Sequence, residues 1–318
     1  MTTSPAIVVS ALSKRFGELR AVEQLTFDVH PGEIFGLVGP DGAGKTTTLR
    51  MLAGVLAADS GSAIVAGCDV VRDPERAKHH LSYMSQRFGL YEDLTVDENI
   101  RFYADLFGVG RKKREPRSTE LLAAAGLSDF RSRLAGNLSG GMKQKLGLAC
   151  ALIHTPKVIL LDEPTNGVDP VSRRDFWRIL YSLLSEGVAI LTSTSYLDEA
   201  ERCHRVGLLY QGHMLFCDQP EALKRRFPGE ILAVHASETA RVRDTLSIAP
   251  GVRSALLVGD HVHLFVDNAA VRFPEMRALL DGTGVSYDSI HSIAPSIEDL
   301  FVSALEGQSS AAIGAKPS

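Results

Sequence analysis

The spacing of apolar residues changes period along the chain, and each change marks an element. Residues 7–9 form a short apolar run; beyond a turn at Phe16-Gly17-Glu18, Leu25, Phe27 and Val29 alternate with polar neighbours. Two strands are predicted there. Residues 34–38 are continuously apolar, as in a buried strand, and a glycine-rich turn separates them from a helix predicted over 46–53. Residues 60–65 read as a turn and strand. From about 98 to 134 the period becomes helical, with Ile100, Tyr103, Leu106 and Phe107, then Leu121, Leu122 and Ala125, at three- and four-residue spacing. The basic run 111–114 between them reads as a solvated loop. Strand signals return at 158–161 and 188–191, around a helix predicted over 173–185. Strands alternating with helices imply a parallel sheet covered by helices on its faces.

Past residue 228 the pattern changes. Residues 231–234, 255–258 and 262–266 read as strands, and 242–246 and 273–280 as helices, an order resembling a split βαβ unit. A large domain over 1–228 and a small α+β domain over 229–306 are expected. The small, polar-leaning residues 307–318 are expected to be a disordered tail. No internal repeat is evident.

Composition narrows the picture without changing it. A chain of 318 residues, 45% hydrophobic and 23% charged, is an ordinary globular protein with room for one large domain and a small one. A net charge of −4 gives no reason to expect a nucleic-acid or anionic-membrane surface. Cys68, Cys150, Cys203 and Cys217 are far apart and form no CxxC pair, so buried thiols in a reducing compartment are expected. No secretory signal is evident, and no run approaches the roughly 18 apolar residues that cross a bilayer. Any service to a membrane is expected to run through a partner. His261, His263 and His291 show no metal-ligand spacing, so no ligand constellation is expected near the C-terminus.

The chemistry begins at Gly39-Pro40-Asp41-Gly42-Ala43-Gly44-Lys45-Thr46, which fits GxxxxGK[ST] between a predicted strand and helix; Thr47 follows. Glycines let the backbone curl until successive N–H groups face phosphate oxygens, and the next helix adds its positive end. Lys45 is suited to the β- and γ-phosphates, and the Thr46 hydroxyl to Mg2+. By itself this loop implies a nucleoside triphosphate and no more. The apolar strand 158–161 runs into Asp162 and Glu163. Asp162 is placed beside the Mg2+ at Thr46, and Glu163 is placed to orient or deprotonate the attacking water.

Leu138-Ser139-Gly140-Gly141-Met142-Lys143-Gln144, about twenty residues before the carboxylate strand, makes the pattern specific. It resembles the signature sequence of the ABC transporter ATPases. The resemblance covers about residues 5–225. It implies a P-loop NTPase fold of class α/β, with a RecA-like core, an antiparallel β subdomain and a helical subdomain, here followed by the small α+β domain. It also implies a role for each matching residue. Phe16 corresponds to the aromatic that stacks on adenine, and Gln86 to the glutamine that contacts the metal or attacking water and responds to the membrane partner. The segment 88–94 corresponds to the region that receives the partner's coupling helix. Ser139, Gly140 and Gly141 correspond to donors for the γ-phosphate of ATP held by the other subunit, and Asp169 to the residue that reaches across the dimer.

One position departs from the pattern. Where the family has a histidine after the last core strand, this chain reads Ser193-Thr194-Ser195-Tyr196-Leu197-Asp198-Glu199-Ala200-Glu201, with Ser195 at the histidine position. A serine hydroxyl is shorter than imidazole and carries no titratable charge, which bears on the rate of hydrolysis and not on ATP binding. His204, read as lying in the following helix, does not replace it. The same stretches are similar to the first ATPase half of ABC-2-type exporters that fuse two ATPase halves, where serine also stands at this position. The resemblance therefore implies an ATPase that closes on two ATP with a homotypic or heterotypic partner. It implies an integral-membrane permease, export of drugs or small amphipathic compounds, and a place on the cytoplasmic face of the membrane. Two alternatives stay open at this stage: a slow, mainly ATP-binding half of an asymmetric pair, and a non-transport ABC ATPase. No nucleic-acid partner is expected.

Overall fold

The computed structural model describes residues 4–87 and 89–314, with side chains through residue 305. Phe88, the first residue of the segment expected to receive a partner, lies outside the described residues. The chain divides into two compact units, Met1–Pro220 and Glu221–Ser318.

In the first unit β1 (Ile7–Phe16) and β2 (Leu19–Val29) form a hairpin. β3 (Ile34–Val38) leads through the glycine-rich loop into α1 (Lys45–Leu52). Then come β4 (Ser60–Val65), β5 (Cys68–Asp69), α2 (Pro74–Lys78) and β6 (Leu81–Met84). A helical stretch follows: α3 (Val96–Leu106), α4 (Arg111–Ala124) and α5 (Gly140–Leu152). β7 (Val158–Asp162), α6 (Pro170–Leu184), β8 (Ala189–Thr194), α7 (Leu197–Ala200), β9 (Arg205–Tyr210) and β10 (His213–Asp218) complete the unit, and α8 (Pro220–Lys224) spans its boundary.

One sheet, ordered β10-β9-β3-β8-β7-β6, is parallel except for β10. Every residue of β3, β7 and β8 is buried, as a sheet covered on both faces requires. The other sheet, β2-β1-β4-β5, is antiparallel and half-buried, which is why its strands alternate. Ile7, Leu12 and Phe27 of this sheet join Phe35, Leu37, Leu160 and Leu191 of the parallel sheet and Leu49 of α1 in a single apolar core.

Two local expectations need correction. The basic run 111–114, read as a solvated loop, forms the first turn of α4. It has no apolar position to betray a helical face; its pairing partners, Asp105 for Arg114 at 2.7 Å and Glu115 for Arg111 at 3.8 Å, lie outside the run. His204 lies outside a helix, just ahead of β9, where its Nδ1 accepts from the Ile34 N–H at 3.2 Å. Cys68, Cys150 and Cys203 are buried free thiols, and burial pushes those of Cys150 and Cys203 well up.

The second unit runs β11 (Glu230–His235), α9 (Thr239–Leu246), β12 (Val252–Val258), β13 (His261–Val266), α10 (Ala269–Thr283), β14 (Ser289–Ile293) and α11 (Ile297–Gly314). Its antiparallel sheet is ordered β12-β13-β11-β14, the split arrangement that the pattern suggested. Leu232, Val234, Val262 and Leu264 on one face pack with Val242, Leu246, Met276 and Leu280 of α9 and α10. Where composition suggested a tail from 307, α11 continues as helix to Gly314; residues 315–318 lie outside the described residues. Among the described residues no helix is long and apolar enough to cross a membrane.

Candidate functional site

β3 ends at Val38, and the loop that follows is shaped by close backbone approaches. A Cβ at Gly39 would stand 2.1 Å from the Leu209 carbonyl oxygen. At Gly44, which has φ +105°, it would stand 2.3 Å from the Ala21 carbonyl oxygen. Only glycine fits either position. Gly44 is also the N-cap of α1 and supplies no side-chain acceptor, so the first N–H groups of α1 are left to a ligand oxygen.

Lys45, 4% exposed, folds back over this loop and donates to the carbonyls of Gly39 at 2.7 Å and Pro40 at 3.0 Å. It also pairs with Glu163 Oε1 at 3.2 Å. Thr46 donates its hydroxyl to Asp162 Oδ1 at 2.9 Å. Asp162, buried at the end of β7, accepts also from Ser193 Oγ at 2.8 Å and, on Oδ2, from Tyr83 Oη at 3.1 Å. Burial, followed by the charge of Asp162, pushes the Tyr83 phenol up to about 12.

The chain turns sharply after Asp162. Glu163 has φ +48°, a left-handed conformation that costs a non-glycine residue about 1 kcal/mol or more. Its N–H donates to Ser193 Oγ at 3.1 Å and to the Ser193 carbonyl at 3.2 Å, which holds the turn. The turned carboxylate meets Lys45 with one oxygen. The other accepts from Gln86 Nε2 at 3.3 Å and Asn166 Nδ2 at 3.2 Å. A cleft of about 410 Å3 opens here, lined by Phe16, Leu19, Ala21, Asp41, Gly42, Ala43, Gly44, Lys45, Thr46, Thr47, Gln86 and Glu163. Phe16 pairs with Leu19 across the tip of the β1–β2 hairpin, so the half-exposed ring and an exposed leucine form one apolar rim.

Ser139, Gly140, Gly141 and Asp169 do not line this cleft. Ser139 caps α5, accepting from the Met142 N–H at 3.3 Å, and Gly140 and Gly141 open that helix. Asp169 caps α6, accepting from the N–H groups of Val171 at 3.1 Å and Ser172 at 2.9 Å, which draw its carboxyl below the usual range. A Cβ on Gly141 would lie 2.3 Å from Ser172 Oγ, so the two helix N-termini touch because this residue is glycine. Ser195 follows β8, half-buried, and is also not part of the cleft lining. Its neighbour Tyr196 donates from Oη to Asn166 Oδ1 at 3.3 Å beneath the Arg173 guanidinium.

Tyr83, Ser193 and Leu19 are site residues that the linear pattern did not reveal, whereas Asn166 opens the run 166–169 that holds Asp169. Ser193 alone left a trace, since it sits at the polar end of an otherwise apolar strand. The segment after Gln86 is held by Asn99, fully buried, whose Nδ2 donates to the carbonyls of Tyr91, Leu94 and Thr95 and whose Oδ1 accepts from the Tyr91 N–H. Lys143 of α5 pairs with Glu92 of this segment at 2.7 Å, joining the Gln86 side of the site to the helix that Ser139 caps.

A glycine-rich loop between strand and helix, with paired acids at the end of a parallel strand one strand removed in the same sheet, defines a P-loop nucleoside triphosphate-binding domain. The profile of the ABC transporter family matches residues 22–166. The "Daunorubicin resistance ATP-binding protein DrrA2" of Streptomyces coeruleorubidus is 35% identical over 302 residues, 93% of this chain and 94% of that protein. This chain belongs to the ABC transporter family of ATP-binding proteins. It is also 44% identical over 306 residues, 95% of its length, to the "Probable multidrug ABC transporter ATP-binding protein YbhF" of Escherichia coli K12, but spans only 52% of that protein. Among solved structures, one described as the ATP binding subunit of an ABC transporter superposes with a TM-score of 0.64 at 30% identity, covering 70% of this chain and 93% of its own.

Proposed function

We propose that the chain is the ATP-binding and ATP-hydrolysing subunit of an exporter. With a second ABC ATPase, identical or not, it closes around two ATP and drives an integral-membrane permease of the ABC-2 type. The observation that carries this reading is the division of the constellation. Lys45, Thr46, Gln86 and Glu163 surround one cleft, whereas Ser139, Gly140, Gly141 and Asp169 lie off it, so a second chain is needed to complete the site. The relatives' names, multidrug and daunorubicin resistance, favour drugs or similar small amphipathic compounds as cargo. In this reading the permease docks at an apolar cleft of about 220 Å3, lined in part by Val55, Tyr103, Leu106 and Phe107, and holds the chain at the cytoplasmic face of the membrane.

In this reading adenine rests on Phe16 and Leu19, and the phosphates lie against the loop and the start of α1. Lys45 exchanges its loop carbonyls for β- and γ-phosphate oxygens. Glu163, held by Gln86 and Asn166, takes a proton from the attacking water as its oxygen bonds to the γ-phosphorus. The bond to the bridging oxygen breaks, leaving ADP and phosphate. The Thr46 hydroxyl, the Asp162 carboxylate and the Gln86 amide are hard oxygen donors that suit Mg2+; bound there, it would neutralise phosphate charge. Ser195 supports a second reading, a slow half that awaits a histidine-bearing partner.

Steady-state ATP hydrolysis by the purified chain tests both. Wild type is expected to turn over, and Glu163→Gln to lose about 10²-fold or more. Turnover unaffected by Glu163→Gln would overturn the catalytic assignment. A wild type that is nearly inert until Ser195→His raises its rate by about 10²-fold selects the second reading.

A further inference from the structure

Four histidines lie in register on one face of the C-terminal sheet. His235 of β11 stands directly across from His261 of β13, and Ala233 stands between His263 and His291. Residues two apart share a face, so all four histidines point away from the core face of Leu232, Val234, Val262 and Leu264. Asp260, in the turn that starts β13, places one carboxylate oxygen 2.9 Å from His235 Nε2 and the other 2.7 Å from His261 Nδ1. One ligand atom from each of His235, Asp260 and His261 lies within 4.8 Å of the others.

The other face of His235 carries a second carboxylate, with Asp288 Oδ2 at 3.1 Å from Nδ1. A neutral imidazole has one N–H, so it can satisfy only one of two flanking carboxylates; the other nitrogen presents a lone pair. A cation on the Asp260 side resolves this conflict. His235 then gives its Nδ1–H to Asp288 and its Nε2 lone pair to the metal, the carboxylate–histidine–metal arrangement of zinc sites. The Asp288 N–H donates to the His235 carbonyl at 2.8 Å, fixing this outer carboxylate to the strand that it supports.

We propose that His235, His261 and Asp260 form a binding site for a divalent transition-metal cation of the zinc type, with Asp288 orienting His235 from behind. Two imidazoles and one carboxylate suit zinc, nickel or copper and exclude a preference for Mg2+ or Ca2+. Ligands about 2.0–2.1 Å from a tetrahedral zinc stand roughly 3.3 Å apart, a spacing that falls within the 4.8 Å span of the three ligand atoms. His235 and His261 are each about one-third exposed, which leaves the fourth position to water and allows the ion to exchange. Such an ion joins the end of β11 to the β12–β13 turn.

The test is calorimetric titration of ZnCl2 into the full-length, tag-free chain after treatment with EDTA, without nucleotide, at pH 7.5. The expected result is one equivalent of zinc that disappears in a His235→Ala, His261→Ala double variant. Asp288→Asn, which keeps all three ligands, is expected to weaken binding about 10- to 100-fold. Co2+ gives a second readout, a visible absorption band present in wild type and absent from the double variant. Zinc uptake by wild type no greater than that of the double variant overturns the proposal.

Discussion

Asp162 accepts hydrogen bonds from Thr46, Tyr83 and Ser193, three residues from three distant segments. The Thr46 and Asp162 partnership was legible, because the loop motif and the strand-end acids together imply it. Tyr83 was not, since a tyrosine in a short strand gives no sign of what lies across the sheet; parallel pairing of β6 with β7 sets it opposite Leu160 and within reach of Asp162. This phenol makes a prediction. Its ionisation in the folded protein is pushed up to about 12 from 10.0. The neutral form is thus favoured by folding, and the associated stability is complete below pH 10 and lost as pH rises through about 12. In urea titrations across that range, Tyr83→Phe is expected to flatten the loss of stability seen in wild type. At neutral pH the same variant is expected to cost about 1 kcal/mol, from the unpaired oxygen of Asp162.

At the scale of elements, helices with a clear apolar stripe were read correctly and the one with a basic start was not. A run of four basic residues carries no hydrophobic period, and what makes it helical is the amphipathic turn beyond it, where Leu121 and Leu122 are buried. β14 was missed for a similar reason, since its residues are largely exposed and its apolar positions few. The converse case is Asn99, a polar residue on the buried face of α3. It spends its hydrogen-bonding capacity on the loop between Gln86 and the helix, while Thr95 and Glu98 form a capping box at the helix start. Asn99→Ala is expected to lower stability by about 2 kcal/mol, because buried carbonyls lose their donor. Thr95→Ala is expected to cost only about 1 kcal/mol. The difference in urea midpoints between the two variants checks that ordering.

At the scale of the molecule, the large and small units each have their own apolar core, and they divide at Pro220 rather than at the expected 228. Gly141 shows how the helix N-termini assigned to the proposed second half of the ATP site depend on packing. An alanine there would meet Ser172 and force the N-terminus of α5 away from that of α6. Gly141→Ala is therefore expected to leave binding of a fluorescent ATP analogue unchanged, since the cleft is untouched. Hydrolysis is expected to fall by up to about 10²-fold, as displacement of a positioning element does. Loss of nucleotide binding itself would place Gly141 in the cleft of its own chain.

The phosphate loop, the paired acids and the signature were determined by the sequence itself, because each is a contiguous run whose chemistry depends on backbone shape and neighbours in the chain. The period of the apolar residues likewise determined the parallel sheet and, in the C-terminal unit, three of the four strands and the helices α9 and α10. Tertiary structure alone decided the rest. It brought Tyr83 and Ser193 to Asp162, turned Glu163 through a left-handed bend toward Lys45, and set His235 beside His261. These contacts arise where strands and loops distant in the chain come side by side. Pairing register, which no local pattern records, places them there.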